Sequence, residues 1–208
     1  MASADFAVTN APLSLRHEFL RKGLHLAAAA FPVAYSLGAS RGALEAALSV
    51  TVALALLTEA LRRSSPAFGA AFDGAFGTLT RGHEKRSITG ATWLAISCLV
   101  AVAVFSRSAA IAALWCATVG DPAATIAGRL WTLTRPKHSP DAARKTLVGS
   151  LACALVSFVG VWSLAGYPPV FAAVIAAAAA LAEAMPIRLD DNIRVAGAAG
   201  IIAQLLAS

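Results

Sequence analysis

The sequence predicts an all-α fold: a polytopic transmembrane helical bundle of about seven spans with its N-terminus in the cytoplasm. Three observations predict it. The 208-residue chain is 58% hydrophobic and 13% charged, whereas an ordinary globular domain carries about 25% charge. Its mean hydropathy is +0.71. Its apolar residues fall into separate runs near the length that crosses a bilayer, about 20 residues with a range of about 17 to 25.

The runs follow in order. Residues 23–40 form the first, behind a basic flank; because further runs succeed it, it is expected to stay as a helix rather than be removed as a signal peptide. Residues 43–61 form the second, separated by "GASRG". Residues 64–80, "SSPAFGAAFDGAFGTLT", are too polar and glycine-rich for a span. Phe68, Phe72 and Phe76 recur every four residues there, so a helix would carry them on one stripe, as an interfacial anchor or as the wall of an entry for a lipid chain. Residues 89–106 and 108–128 flank "FSRS", and residues 146–165 and 168–186 flank "GYPP", both plausible breaks. Residues 193–207 are the shortest run and contain Arg194. All of this reads as one domain, residues 1–208.

Seven crossings leave only Arg41 and Arg107, of 17 Lys and Arg, on the side away from the N-terminus. Positive charge collects in cytoplasmic loops, so the expectation is a multi-pass protein of a prokaryotic cytoplasmic membrane with its active face toward the cytoplasm. The same topological signal accounts for the net charge of +6. No motif for nucleic acid is present, and membrane lipids are the expected surroundings. Cys98, Cys116 and Cys153 each lie inside an apolar run and read as small buried hydrophobes rather than a disulfide framework.

Against this background "GDPAATIAGR", residues 120–129, is anomalous. It places Asp121 and Pro122 in a helical run, and a charge in an apolar interior faces a cavity, a partner or an ion. Asp121 lies eight residues from Arg129, about 12 Å inward at about 1.5 Å per residue. Pro122 removes a backbone donor and frees a carbonyl nearby. Glu183 falls similarly near the end of its run. A pattern E-x-x-[RK]-[RK] occurs twice, as "EFLRK" at 18–22 and "EALRR" at 59–63. The second reads as an ordinary i, i+3 surface ion pair; the first continues through His25 into the apolar run.

Five stretches together resemble the CTP-dependent lipid-alcohol kinases, a family that includes dolichol kinase, phytol kinase and the yeast-type diacylglycerol kinase. They are "HEFLRKGLH" at 17–25, "RGHEKRSITGATW" at 81–93, "GDPAATIAGR" at 120–129, "RKTLVGSLA" at 144–152 and "AEAMPIRLDDN" at 182–192. The resemblance implies an enzyme that moves the γ-phosphoryl of CTP to a lipid alcohol (a polyprenol or dolichol, phytol or diacylglycerol) with Mg²⁺ as the divalent cation. It places Arg21, Lys22, Asp121 and Gly128 at motif positions needed for activity. The G-D-x-A-x-x-x-G-R core is similar, more loosely, to phosphatidate cytidylyltransferases. Those end in elements that "EAMPIRLDDN" replaces. The loop after Arg129 also departs from the form frequent in the kinases.

Neither a G-x-x-x-x-G-K-[ST] loop nor a protein-kinase G-x-G-x-x-G is present, so the nucleotide must be held otherwise. Phosphoryl transfer is chiefly positioning and charge neutralisation, and Mg²⁺ asks for one or two carboxylates besides water and phosphate oxygens. Asp121 is the first candidate for the ion and Glu183 the second. Arg21 and Lys22 are candidate catalytic cations. Gly120, Gly128, Arg129, Lys145, Gly149 and Ser150 are candidate nucleotide contacts, although each glycine is equally explained by close helix packing. Glu18 and His25 are weaker candidates than Asp121 for the general base. Two rivals remain: transfer of CMP to a lipid phosphate, and a non-enzymatic membrane transporter or scaffold.

Overall fold

A computed structural model describes residues 15–77, 80, 87–134, 145–187 and 189–207. The helices are α1 (Leu15–Ala27), α2 (Ala30–Ser36), α3 (Arg41–Ser64), α4 (Pro66–Phe76), α5 (Gly90–Val104), α6 (Arg107–Trp115), α7 (Asp121–Leu133), α8 (Leu147–Ser163), α9 (Pro169–Ala184) and α10 (Asp191–Leu206). A π-helical turn, Cys116–Gly120, joins α6 to α7. No strand occurs among the described residues, so the all-α expectation holds.

Local chemistry sets the starts. Ser40 accepts from the Ala43 amide, Ser65 from Phe68, Thr146 from Gly149 and Asp190 from Asn192, each satisfying a donor that a helix N-terminus leaves open. Pro66 and Pro169 stand in first-turn positions, where a missing amide costs nothing.

The seven-span bundle is overturned. Among the described residues two helices, Arg41–Ser64 and Arg107–Leu133, are long and apolar enough to cross a membrane by length and composition. Gly90–Val104, Leu147–Ser163 and Pro169–Ala184 are apolar but have 15, 17 and 16 residues. The expected first span is broken at Ala28–Ala29 into α1 and α2, and α10 opens with Asp191 and Arg194 paired to each other. The cytoplasmic N-terminus and the multi-pass localisation rested on the seven crossings and fall with them. The physical reason lies in alanine: a run rich in it is as apolar packed against other helices as against lipid, and turn residues lengthen it on paper.

The core shows that second use. Ala109, Ala110, Ile111, Ala112, Ala113 and Leu114 of α6 are all buried, because α2, α5, α8 and α10 surround the helix. Small residues let these neighbours approach closely. A Cβ at Gly160 would overlap the Trp115 indole, and one at Gly200 the Phe105 ring. Trp115 donates its indole N–H to the Val156 carbonyl at 3.0 Å, and the Tyr167 hydroxyl donates to the Ala203 carbonyl at 2.8 Å. The polar tips of the partly buried Trp115 and the buried Tyr167 thus find partners.

The expected segment 64–80 contains α4. Phe72 and Phe76 pair with ring centroids 5.3 Å apart, and the Arg62 guanidinium lies 5.6 Å from the Phe72 centroid. The "EALRR" pattern is not a surface pair. Glu59 is buried, its carboxylate accepts from Arg62 at 2.5 Å and from Arg63 at 3.3 Å, and its other oxygen accepts from the Thr89 amide at 2.8 Å. It ties the end of α3 to the start of α5.

Candidate functional site

The break at Pro122 builds the site. Within the π turn the Asp121 amide donates to the Cys116 carbonyl, one residue further back than an α-helix would use. In that register the next donor, to Ala117, belongs to residue 122. Proline has no N–H. The Ala117 carbonyl is instead partnered by His25 Nε2 at 3.2 Å. Since a carbonyl only accepts, Nε2 carries the proton, and Nδ1 of the neutral ring is left as an acceptor. Burial first, and the Lys22 charge next to it, hold the His25 imidazole down at about 4 against an ordinary 6.5, so the ring is neutral near pH 7.

One turn before His25 on α1, Lys22 reaches the same place. Its Nζ lies 2.5 Å from Asp121 Oδ2, with side chains 4% and 3% exposed. The neighbouring Arg21 projects elsewhere, into a cavity that His25 also lines. Consecutive residues on a helix point about 100° apart, so Lys22 and Arg21 serve different surfaces.

A second charged group lies at the start of α8. Lys145 Nζ is 3.2 Å from Glu183 Oε1 and 3.1 Å from Asp191 Oδ1, and it also donates to the Glu183 carbonyl. Ser150 Oγ donates to Glu183 Oε2 at 3.5 Å. Helices α7 and α8 bring the two groups together, and Lys145 is close enough for its charge to act on Asp121. Glycine makes the approach possible. A Cβ on Gly149 would come within 2.7 Å of the Ala124 carbonyl oxygen, one on Gly128 within 2.8 Å of Thr146 Oγ1, and one on Gly120 would overlap Ser157 Oγ. All three glycines thus serve helix contact. Arg129 lies two turns beyond Asp121 and is partly exposed.

The predicted residues therefore divide. Lys22, Asp121, Lys145, Ser150 and Glu183 form two linked ion-paired groups, whereas Arg21 faces the cavity. The Glu18 side chain and the loop 135–144 lie outside the described residues, as does the basic stretch 81–86. No group of three or more His, Cys, Asp or Glu side chains among the described residues is arranged to hold a metal ion. Asp121 and Glu183, the two carboxylates expected to hold Mg²⁺, are both buried, the first paired with Lys22 and the second with Lys145. Asp191 and Asn192 lie in the "AEAMPIRLDDN" stretch, but the sequence reading gave them no role in the site. Their signal was the acidic run before an apolar segment, which marks a helix start.

Comparison with known proteins adds one relationship. The chain is 29% identical over 153 residues to CTP-dependent diacylglycerol kinase 1 of Eremothecium gossypii, an alignment covering 73% of this chain and 47% of that protein. The chain thus spans about half the length of the curated relative it matches. No family model matches, and no solved structure matches. The similarity is distant and partial, and it links the chain in general terms to the CTP-dependent lipid kinases.

Proposed function

We propose that the chain is a CTP-dependent kinase of a lipid alcohol, transferring the γ-phosphoryl group to the hydroxyl and releasing CDP and a proton. The observation that carries this reading is the Lys22–Asp121 pair, buried at a π turn and flanked by Lys145 and Glu183. It occurs in a chain similar to a CTP-dependent diacylglycerol kinase.

Phosphoryl transfer needs fixed charge near the phosphates more than covalent help from the protein. Lys22 supplies a cation whose place is set by Asp121. Lys145 supplies a second, held at a helix N-terminus, where anions are favoured. Asp121 and Glu183 are the side chains that would hold Mg²⁺, which neutralises phosphate oxygens when bound. His25 is a positioning residue: it completes the Ala117 carbonyl and so fixes the turn from which Asp121 projects. With its pKa near 4 it is a weak base near neutral pH.

The test is purified protein with γ-labelled CTP, Mg²⁺ and a panel of lipid alcohols, beside the same panel with ATP. Labelled lipid and CDP are the expected products. Absence of labelled lipid from every alcohol, with a working control enzyme, removes the reading. Pyrophosphate release in place of CDP assigns cytidylyl transfer instead.

A further inference from the structure

Helix α4 is loosely held for an element that closes a cavity. No residue of Pro66–Phe76 is buried, only Gly69 and Phe72 are even half-buried, and the neighbour it packs on is α3. A helix of 11 residues is marginal by itself in water, where about 12 to 15 are needed even for good helix formers. Gly69 and Gly74 weaken it further. Yet it stands over a cavity of about 510 Å³ between α1, α3, α5 and the start of α10, and Phe72 and Phe76 are part of the cavity wall.

A single residue joins α4 to α3. Ser65 is extended, with φ −117° and ψ 110°, because the proline that follows disfavours the helical conformation there. Its amide closes α3 on the Leu61 carbonyl at 2.9 Å, and its hydroxyl opens α4 by accepting from the Phe68 amide at 3.3 Å. Beyond that joint, the described contacts that hold α4 down centre on Arg62. The Arg62 side chain is 6% exposed and donates to Glu59 at 2.5 Å and to the Ser87 carbonyl at 2.9 Å. Its guanidinium lies 5.6 Å from the Phe72 centroid. Gly69 passes over the backbone of the same residue, where a Cβ would come within 2.9 Å of the Arg62 carbonyl oxygen.

We infer that α4 is a hinged cover on the cavity, turning at Ser65 and latched where Phe72 stacks on Arg62. Segments with few buried contacts open at far lower cost than the whole fold, and a cation over an aromatic face is a weak, reversible bond. The Arg62 half of the latch stays in place, since Glu59 also accepts from the Thr89 amide beside the start of α5. Phe72 and Phe76 leave together, because they lie one turn apart with ring centroids 5.3 Å apart. The cover sets when the cavity is open rather than what enters it, so it holds or fails independently of the kinase reading.

Cys98 is the reporter. It belongs to the cavity wall and is 2% exposed, whereas Cys116 and Cys153 are buried elsewhere. Backbone amide exchange and alkylation of the three thiols by N-ethylmaleimide are followed by mass spectrometry in the wild-type chain and in Phe72→Leu. The α4 amides are expected to exchange well ahead of those in the middle of α3, and Cys98 to be alkylated ahead of Cys116 and Cys153. Phe72→Leu keeps an apolar side chain but no ring. It should speed α4 exchange and Cys98 alkylation together by about two- to fivefold, the loss of one exposed cation–π contact, and leave the other two thiols unchanged. Exchange of α4 as slow as that of α3 overturns the cover, as does Cys98 reacting no faster than Cys116 and Cys153. Equal rates in the wild type and Phe72→Leu overturn the latch, and so does a rise shared by all three thiols, which marks general loosening. Faster α4 exchange without faster Cys98 alkylation shows that α4 does not control the cavity and overturns the inference.

Discussion

Lys22 and Asp121, 99 residues apart in sequence, meet at 2.5 Å with almost no exposure of either side chain. A buried pair of this kind is weak evidence for stability, since desolvation offsets much of the attraction. Breaking it is costly, because one charge is left without a partner.

Lys22→Met is therefore expected to destabilise the protein by about 3–5 kcal/mol. Lys22→Met combined with Asp121→Asn should cost clearly less than the sum of the two single changes, because neither charge remains. Chemical denaturation followed by far-ultraviolet circular dichroism measures both. Simple additivity would show that the two side chains are energetically independent.

Turnover should respond to the same carboxylate more sharply than stability does. Asp121→Asn is expected to lower the CTP-dependent rate by about two orders of magnitude or more, the scale on which losing one preorganised electrostatic contact acts. The rate is to be measured on protein whose fold has been verified. A folded variant with the wild-type rate would take Asp121 out of the mechanism.

Chelation of divalent cations is expected to stop turnover, and added Mg²⁺ to restore it. Glu183→Gln should raise the Mg²⁺ concentration for half-maximal rate by about tenfold or more, the equivalent of about 1.5–3 kcal/mol for a charged contact. An unchanged Mg²⁺ requirement would assign Glu183 to Lys145 and Ser150 alone.

Two glycines offer a matched comparison. Gly149→Ala drives a Cβ against the Ala124 carbonyl. Backbone on both sides cannot yield easily, and the expected loss is about 1–3 kcal/mol. Gly197→Ala meets nothing within 4 Å and should be neutral or stabilising by about 0.5–1 kcal/mol. Melting temperatures of the two variants check the order.

Stability should fall as pH drops from about 6.5 toward 4. Unfolded His25 takes up a proton near 6.5, while the folded ring resists until about 4. The unfolded state therefore binds more protons throughout that window, and acid favours it. His25→Asn should flatten this part of the melting profile. If it does not, the acid sensitivity belongs to other groups.

Much of the architecture was legible. Each apolar run became a helix or helix pair, because fifteen or more residues of that composition form nothing else readily. How many cross a bilayer was not legible, since α6 is covered by other helices while α3 leaves its apolar surface largely open. The site divided in the same way. Asp121 stood out as an acid in an apolar run, and Pro122 announced a missing hydrogen bond. That Lys22 would take the carboxylate and His25 the carbonyl depended on α1 docking beside the π turn, which no local pattern encodes.

The π turn sets the direction in which Asp121 points. It contains one residue more than an uninterrupted α-helix from α6 to α7 would need, and each residue turns the helix by about 100°. Deleting Val119 would restore regular backbone bonding upstream of Pro122 and swing everything beyond it around the axis, Asp121 included. A shorter, better-bonded helix would then carry Asp121 away from Lys22.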